Sequence, residues 1–235
     1  MPQASEIRQE ITLLIPAYNA ESSLGDVLDE VLALGLPALV VNDGSTDGTQ
    51  RVAQGKPVWR VVSHERNRGK GAALKTGFSV ARDGGFSHVL TLDADGQHPV
   101  EAIPRFLEAY RNRPQAILVG NRFSGETIQE MPLVRRLSNG CSSTLISLAA
   151  KTRIPDAQCG MRVYPLDLFE RIELRSDGYA LESEVLVKAA RMGIEVVNLP
   201  ISCHYPDGTA TSRYRAFVDS WRIAKVVLKS IRESK

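Results

Sequence analysis

The sequence predicts an α/β protein built on a single Rossmann-like, mostly parallel sheet that is flanked by helices. Three observations lead to this prediction. Short apolar runs alternate with segments of helical periodicity through the first hundred residues. The runs lack the polar alternation of a half-exposed strand, so both faces of each strand are expected to be covered. Polar loops follow the strands, where a doubly wound sheet binds its ligands.

The elements of the first half alternate regularly. Runs of apolar or β-branched residues predict buried strands at 11–15, 39–41, 58–62 and 89–92. Helices are predicted between them, from Asn19 or Glu21 to Leu34, at 49–54 and at 69–82. Pro16 is expected to end the first strand, and Gly35 to close the first helix. This spacing favours right-handed crossovers between parallel strands.

The regular alternation of predicted strands and helices ends near residue 100. Helices are predicted at 100–110, 131–150, 180–192 and 213–235, and strands at 116–119, 163–164 and 194–201. A turn is expected at 120–123 and a loop at 156–162. No internal repeat, low-complexity tract or linker divides the chain, so residues 1–235 are expected to form one domain.

The composition bounds the class of protein. The 235 residues are 43% hydrophobic and 24% charged, which is typical of a soluble globular protein with a large core. A net charge of +2 gives no reason to expect a nucleic-acid partner. Three widely spaced cysteines favour a reducing compartment. Without a signal-peptide core or a run of ~18 apolar residues, the sequence predicts a cytoplasmic protein, peripheral on the membrane at most; it indicates no oligomeric state.

Two carboxylates, Asp93 and Asp95, follow the fourth predicted strand. A buried carboxylate is costly unless it is paired or bound to a metal, so both are expected just past the strand end. Alternation points the two the same way, which suits a hard divalent cation. The alternative is a turn whose carboxylates bond to the local backbone. Because the loops after strands one and two carry Asn19 and Asp43, we expect one crevice at the carboxyl edge of the sheet.

Four segments of the first hundred residues resemble family 2 glycosyltransferases, which have the GT-A fold. They read IPAYN (15–19), VNDGSTDGT (41–49), NRGKGAA (67–73) and DADGQHP (93–99), in the order and spacing of the family. Segments at 120–123, 135–136, 158–162 and 182–189 resemble its dolichyl- and polyprenyl-phosphate sugar synthase branch. The resemblance implies a nucleotide-binding half at 11–99, an acceptor half at 100–215 and a basic helix at 213–235.

The resemblance also implies an activity and a donor site. It implies an inverting hexosyltransferase that uses a UDP- or GDP-sugar donor and a polyprenyl phosphate or other membrane-proximal acceptor. The residues implied to hold the donor lie in the first half: Pro16, Ala17, Tyr18, Asn19, Glu21, Asp43, Lys70, Asp93, Ala94 and Asp95. Asp95 and Gln97 are the implied ligands of Mg²⁺ or Mn²⁺, which stabilises the departing diphosphate. Tyr18 as a loop aromatic, and the glycines beside Lys70 as a simple turn, stay open as alternatives.

The kind of acceptor determines which side chains the reaction needs. A hydroxyl acceptor needs a general base, for which Asp156, Glu182 and Glu184 are candidates. A phosphate acceptor needs cations instead, and the resemblance assigns it to four arginines: Arg122, Arg135, Arg136 and Arg213. Arg162 is expected near the phosphate or sugar of the donor. The predicted catalytic set is therefore Asp95, Asp156, Arg162 and Glu184.

The sequence departs from the branch near its end. His204 and Tyr205 stand where many members carry an acidic residue and an arginine, and Arg213 stands where lysine is common. His204 is either a further metal or phosphate contact or a structural histidine.

Two segments predict a peripheral membrane contact. The helix at 131–150 has an apolar face and basic ends, and the segment 213–235 carries seven basic and two acidic residues. For the last helix, docking on the sheet is the alternative. Two other functions stay open for the whole chain: transfer to a soluble hydroxyl acceptor, and a nucleotide-sugar-binding module without turnover.

Overall fold

The computed structural model describes residues 10–124 and 133–202. Seven strands lie within these ranges: β1 (Ile11–Ala17), β2 (Ala38–Asn42), β3 (Arg60–Ser63), β4 (His88–Thr91), β5 (Ile117–Asn121), β6 (Arg162–Pro165) and β7 (Val196–Pro200). The helices there are α1 (Glu21–Ala33), α2 (Thr49–Gln54), α3 (Lys70–Asp83), α4 (Ile103–Asn112), α5 (Leu133–Ala150), α6 (Leu168–Arg171) and α7 (Ala180–Arg191). Val100–Ala102 and Arg122–Ser124 form 3₁₀ turns. The predicted helix at 213–235 lies outside the described residues.

The seven strands form a single sheet with the order β3-β2-β1-β4-β6-β5-β7. Neighbouring strands pair in parallel except at β6, which runs antiparallel to both β4 and β5. The chain builds outward from β1 to β2 and β3, and then returns to place β4 on the other side of β1. Strand order therefore reverses between β1 and β4, which is where a sheet of this kind opens a crevice at its carboxyl edge. The predicted fold class is confirmed.

Each face of the sheet carries its own apolar layer. Leu13 and Ile15 of β1 face one layer, which contains Leu24 and Leu28 of α1 and Phe106 of α4. The residue between them, Leu14, faces the other layer, whose helical residues come from α3, α5, α6 and α7 and include Leu74, Ile146 and Leu186. Opposite directions for successive side chains follow from the pleat, and coverage of both faces explains the unbroken apolar runs.

Two local expectations need correction. Pro16 lies inside β1 and does not end it, because β4 ends opposite Leu14 and β1 continues by pairing with β2 alone. A proline lacks only a donor, so it is tolerated where one side of a strand is unpaired. The loop expected at 156–162 ends one residue early, since Arg162 is the first residue of β6. The short helix α6 was not predicted.

No helix within residues 10–124 and 133–202 combines the length and the apolar character that a membrane crossing requires.

Candidate active site

The loops that follow β1 and β2 are bound to each other at the carboxyl edge. Asn19 has a φ of 48°, and its side-chain oxygen accepts a hydrogen bond from the N–H of Thr46 at 2.8 Å. A carboxylate oxygen of Glu21 accepts one from the N–H of Gly48 at 2.9 Å. Both side chains thus shape the rim of the crevice. The adjoining Tyr18 is half-buried on the same loop.

Asp43, directly after β2, holds the loop that leads into α3. Its side chain is buried, with Oδ1 2.7 Å from Nδ1 of His64. Oδ1 also accepts the N–H of Arg68 at 2.9 Å, and Oδ2 accepts the N–H of Gly69 at 2.8 Å. Nε2 of His64 in turn lies 2.9 Å from the hydroxyl of Thr76 on α3. The Asp43 carboxylate therefore fixes the start of α3 relative to β2.

Lys70, the first residue of α3, joins the two halves of the chain. Its Nζ donates to Oδ1 of Asp93 at 2.6 Å and lies 3.1 Å from Oε2 of Glu182 on α7. Burial alone would lower the pKa of Lys70, but the two carboxylates outweigh it and hold that pKa well above its usual range. The ammonium group is therefore charged and shared between one carboxylate of each half.

Asp93, just beyond β4, is closely packed. Gly160 packs directly against its carboxylate, and a Cβ at position 160 would overlap Oδ1 and Oδ2. Burial alone would raise the pKa of Asp93, but attraction to Lys70 and then to His98 outweighs it and holds the pKa well below its usual range. Asp93 is thus a fixed, ionised carboxylate that is already paired with a cation.

Asp95 is the carboxylate whose surroundings fit a divalent cation. Its Oδ1 accepts the N–H of Gln97 at 3.1 Å, so the turn predicted as the alternative reading is present as well. Burial, and then repulsion from Asp93, raise the pKa of Asp95. A cation beside Asp95 would offset both effects. Gln97, the second predicted ligand, lies in the same turn and is buried.

The described residues offer no ready-made metal cage, because no three His, Cys, Asp or Glu side chains converge among them. A cation at Asp95 would therefore have few ligands from this part of the protein. Mg²⁺ is commonly bound in this way, through one or two carboxylates together with phosphate and water. Ala94, between the two aspartates, accepts a hydrogen bond at its carbonyl oxygen from the hydroxyl of Ser23 at 2.7 Å, which ties the turn to α1.

His98 and Cys159 form a buried pair behind Asp93. Nε2 of His98 lies 3.6 Å from Sγ of Cys159, and Nδ1 lies 4.0 Å from Oδ2 of Asp93. Burial lowers the pKa of His98 although two carboxylates oppose it, and burial raises the pKa of the Cys159 thiol to about 12. Both groups are therefore neutral near pH 7.

Arg162 is fully buried, and its bonds go to the protein itself. Its guanidinium donates to the carbonyl oxygens of Ala157 and Cys159, each at 2.7 Å, and to that of Glu182 at 3.0 Å. A fourth bond reaches the hydroxyl of Tyr164 at 3.0 Å. Arg162 therefore binds the loop that backs Asp93 to the helix that carries Glu182, and its expected place near the phosphate or sugar of the donor stays a prediction.

Two of the three carboxylates predicted as general bases, Asp156 and Glu184, bond to other groups of the protein. Asp156 is fully buried and receives Nε and Nη2 of Arg122 at 2.6 and 2.8 Å. Burial alone would raise the pKa of Asp156, but Arg122 outweighs it and the pKa is lowered. Asp156 is therefore a structural partner of Arg122, and its assignment as a base stays a prediction.

Glu184 is held by three neighbouring groups. Oε1 accepts a bond from Nζ of Lys188 at 2.6 Å, and the carboxylate also receives the backbone N–H groups of Arg175 and Ser176 at 3.1 and 2.9 Å. These bonds lower its pKa although burial opposes them. Glu184 thus secures the loop before α7, and its assignment as a base stays a prediction.

The predicted acceptor arginines have different surroundings. Arg122 is buried beside Asp156, whereas Arg136 is exposed on α5. The side chain of Arg135, and Arg213 with His204, lie outside the described part of the chain. Their assignment to the acceptor stays a prediction.

Three contributors to the site were not singled out from the sequence. His64, His98 and Cys159 each lie within or beside a segment that carries the family resemblance, so their positions offered a hint. Their contacts to Asp43, in the case of His64, and between His98 and Cys159 join separate segments of the chain, and only the fold brings these together.

The fold and this edge of the sheet define an α/β protein with a polar crevice at the carboxyl ends of parallel strands, where such sheets bind their ligands. More specifically, the chain belongs to glycosyl transferase family 2, because the family model with the description "Glycosyl transferase family 2" matches residues 12–173. The predicted family and the prediction of a glycosyltransferase enzyme are both confirmed.

Relatives in sequence come from the predicted branch. A dolichyl-phosphate β-glucosyltransferase of Trichomonas vaginalis is 31% identical over 85% of this chain and 67% of its own. A polyprenol monophosphomannose synthase of Mycolicibacterium smegmatis is 30% identical over 83% of this chain and 77% of its own. These relatives support the assignment to the polyprenyl-phosphate sugar synthase branch.

Solved structures agree in fold. Glucosyl-3-phosphoglycerate synthase of Mycobacterium tuberculosis superposes with a TM-score of 0.72 at 19% identity, over 97% of this chain and 83% of its own. Another crystal structure of that enzyme, in complex with Mn²⁺, UDP and glucosyl-3-phosphoglycerate, gives a TM-score of 0.68 over 98% of this chain and 81% of its own. At this identity the likeness establishes the fold.

Proposed function

We propose that this chain transfers a hexose from a UDP- or GDP-sugar to a polyprenyl phosphate, or to another membrane-proximal phosphate, with inversion at the anomeric carbon. What supports a nucleotide-sugar donor is the meeting of the β2, α3 and β4 loops at one edge of the sheet. Asp43 fixes the start of α3, and Lys70 then reaches Asp93 at 2.6 Å. These residues lie in the segments that carry the family pattern.

On the donor side, we assign the carboxyl edge of β1, β2 and β4 to the nucleotide. Pro16 and Ala17 end β1, Tyr18 begins the loop after it, and Asp43 offers a buried carboxylate that accepts hydrogen bonds. Asp95 and Gln97 would hold Mg²⁺ or Mn²⁺. A divalent cation there supplies charge stabilisation for the departing nucleoside diphosphate without proton transfer.

On the acceptor side, the occupied carboxylates favour a phosphate over a hydroxyl. Asp156 is saturated by Arg122, and Glu184 by Lys188 and two backbone groups. Neither is placed to take a proton from an incoming hydroxyl. A phosphate acceptor is already anionic and needs no base, so this arrangement is what that acceptor would require.

A membrane-proximal acceptor also fits the surface of α5. Four of its apolar side chains are 66–74% exposed: Leu133, Val134, Leu137 and Leu148. Exposed basic residues flank them, with Arg136 near the start of the helix and Lys151 and Arg153 after its end. An apolar stripe with cationic ends suits an anionic bilayer surface. We therefore propose a peripheral position on the cytoplasmic face of a membrane.

A transfer assay tests this function. The purified chain is incubated with Mn²⁺ or Mg²⁺, radiolabelled UDP-glucose or GDP-mannose, and undecaprenyl phosphate in mixed micelles. We expect label to appear in the organic phase, to increase with lipid phosphate, and to disappear with chelator or in Asp95→Asn. Label that appears only in a water-soluble glycoside would contradict the acceptor, and retention of full activity by Asp95→Asn would contradict the cation site.

A further inference from the structure

Among the described residues, Nδ1 of His98 is a buried polar atom without a hydrogen-bond partner, and it lies beside Asp93 in the candidate site. The side chain of His98 is 3% exposed. Buried polar atoms are nearly always bonded, so an unused one beside a candidate ligand site calls for a partner that comes with the ligand. Oδ2 of Asp93 lies 4.0 Å from Nδ1, which is too far for a direct hydrogen bond.

We propose that His98 helps to bind the sugar nucleotide. Nδ1 of His98 and Oδ2 of Asp93 would together bind one hydroxyl group of that molecule. An oxygen about 2.8 Å from each atom spans a gap of this width. This inference rests on the proposed function, and it adds a residue and a chemical group to it.

The neighbours of the two atoms determine what kind of group fits. Oδ1 of Asp93 is held by Lys70, so Oδ2 is the oxygen that faces the gap, where it can only accept. Sγ of Cys159 lies 3.6 Å from Nε2 of His98 and 3.9 Å from the carbonyl oxygen of Met161, and its one proton can go to either acceptor. Oδ2 of Asp93, 4.0 Å from Nδ1, favours a ring proton on Nδ1. In that tautomer the thiol donates to Nε2, and Nδ1 donates into the gap.

A hydroxyl matches this pair because it accepts from Nδ1–H and donates to Oδ2 at the same time. A phosphate oxygen can only accept, so the Asp93 carboxylate would repel it. The hydroxyl belongs either to the ribose or to the transferred sugar. Cys159 acts through His98 and is a positioning residue.

The test compares variants of nearly the same shape. In His98→Asn the amide nitrogen can lie close to the position of Nδ1, whereas in His98→Gln it reaches toward the position of Nε2, and His98→Leu has neither donor. Dissociation constants are measured by calorimetry with Mn²⁺ for UDP and UDP-glucose, or for GDP and GDP-mannose if the parent binds that pair. We expect His98→Gln and His98→Leu to weaken binding by about tenfold, and His98→Asn to stay within about threefold of the parent.

The arms of the experiment identify the hydroxyl. If the hydroxyl belongs to the ribose, His98→Gln and His98→Leu should lose the same affinity for the nucleoside diphosphate as for the sugar nucleotide. These variants should then bind the 2′- or 3′-deoxy diphosphate as well as the parent does. A sugar hydroxyl predicts a loss for the sugar nucleotide alone. Unchanged affinities in His98→Gln and His98→Leu, or an equal loss in His98→Asn, would overturn the inference and leave only water in the gap. A parent that binds neither pair would instead overturn the proposed function, and this inference with it.

A measurement on the parent chain avoids any folding defect of the variants. Long-range ¹H–¹⁵N spectra resolve the ring nitrogens of the four histidines. We expect the Nδ1-protonated form for His98, and a change in its Nδ1 resonance when the nucleotide that the parent binds is added with Mg²⁺. An Nε2-protonated ring, or no response to the nucleotide, would contradict the assignment.

Discussion

Lys70 is the residue on which the geometry of the site depends most directly. It lies between the half-buried Asp93 and the buried Glu182, at 2.6 and 3.1 Å, so its removal would leave both carboxylates without their shared cation. Breaking a buried pair in this way costs about 3–5 kcal/mol of folding free energy. Glu182 is the remaining candidate for a general base. Its contact with Lys70 indicates another role, which is to hold the Lys70 ammonium group against Asp93.

We therefore predict that Glu182→Gln keeps transfer to polyprenyl phosphate within about tenfold of the parent, because the amide oxygen still accepts from Lys70. Lys70→Met should lose stability and nearly all transfer, and the double variant Lys70→Met/Glu182→Gln should regain part of the stability. Urea unfolding and initial rates measure these effects. A fall in kcat of about 10²–10⁴ in Glu182→Gln with unchanged KM would identify a base instead.

The sequence contained the residue types of the site but not their pairing. The shared motif predicts that Asp93 contacts the donor and that Asp95, with Gln97, holds the cation. The fold pairs Asp93 with Lys70, whose reach depends on how Asp43 anchors α3. The sequence likewise carried no sign of the bonds that Arg162, Asp156 and Glu184 make to other parts of the protein. Sequence alone does not show that a charged residue is fully buried and already paired.

At the scale of elements, the pair formed by Arg122 and Asp156 joins the end of β5 to the loop before β6. Both side chains are buried and two bonds link them, at 2.6 and 2.8 Å. We predict that Arg122→Met lowers the free energy of unfolding by about 3–5 kcal/mol, since it leaves the Asp156 carboxylate buried without a partner. Arg122→Met/Asp156→Leu should cost clearly less than the two single changes added together. Additive losses in urea unfolding would show that the pair does not act as a unit.

The strand β4 begins with a histidine that makes stability depend on pH. His88 is buried, with Nε2 2.7 Å from the carbonyl oxygen of Pro114 and Nδ1 2.8 Å from the hydroxyl of Ser87. Burial lowers the pKa of His88, although the Pro114 carbonyl, Asp167 and Glu10 oppose it. The unfolded chain therefore binds this proton first as the pH falls.

Stability should accordingly decline as the pH falls below about 6.5, the ordinary pKa of histidine. The free energy of unfolding should fall by no more than about 1.4 kcal/mol per pH unit, the limit for one proton. The fall should end once the pH is below the pKa of His88 in the folded protein. We predict that His88→Gln, whose amide can still donate to Pro114, shows a shallower decline between pH 7 and 5. Urea unfolding at each pH provides the comparison, and equal slopes for parent and variant would contradict this role.

The regular elements were predicted well because periodicity reports burial directly. The apolar runs of β1, β2 and β4 were each found within two residues, and α2 was found at its observed bounds. The direction of β6 was not readable, because a four-residue buried strand looks the same in either orientation. Its insertion between β4 and β5 is a property of the assembled sheet.

For the molecule as a whole, the exposed stripe of α5 should set where the protein works. We predict that the parent sediments with vesicles that contain phosphatidylglycerol, and that Leu137→Asp loses at least about tenfold in partitioning. Burial of one leucine contributes about 1.5–3 kcal/mol, and the added charge opposes an anionic surface. Gln54→Asp, an equal charge change at an exposed position of α2, is the matched control. Equal partitioning of the two variants would exclude α5 as the contact.

The central claim is that a divalent cation at Asp95 and a nucleotide sugar bind together at the carboxyl edge of the sheet. Calorimetric titration of UDP-glucose and GDP-mannose, each with and without Mn²⁺, tests it most directly in the parent and in Asp95→Asn. We predict that the parent binds one of the two donors at least about tenfold more tightly with Mn²⁺, and that Asp95→Asn loses this gain while it stays folded. Equal affinity with and without the metal, or an undiminished gain in Asp95→Asn, would contradict the claim.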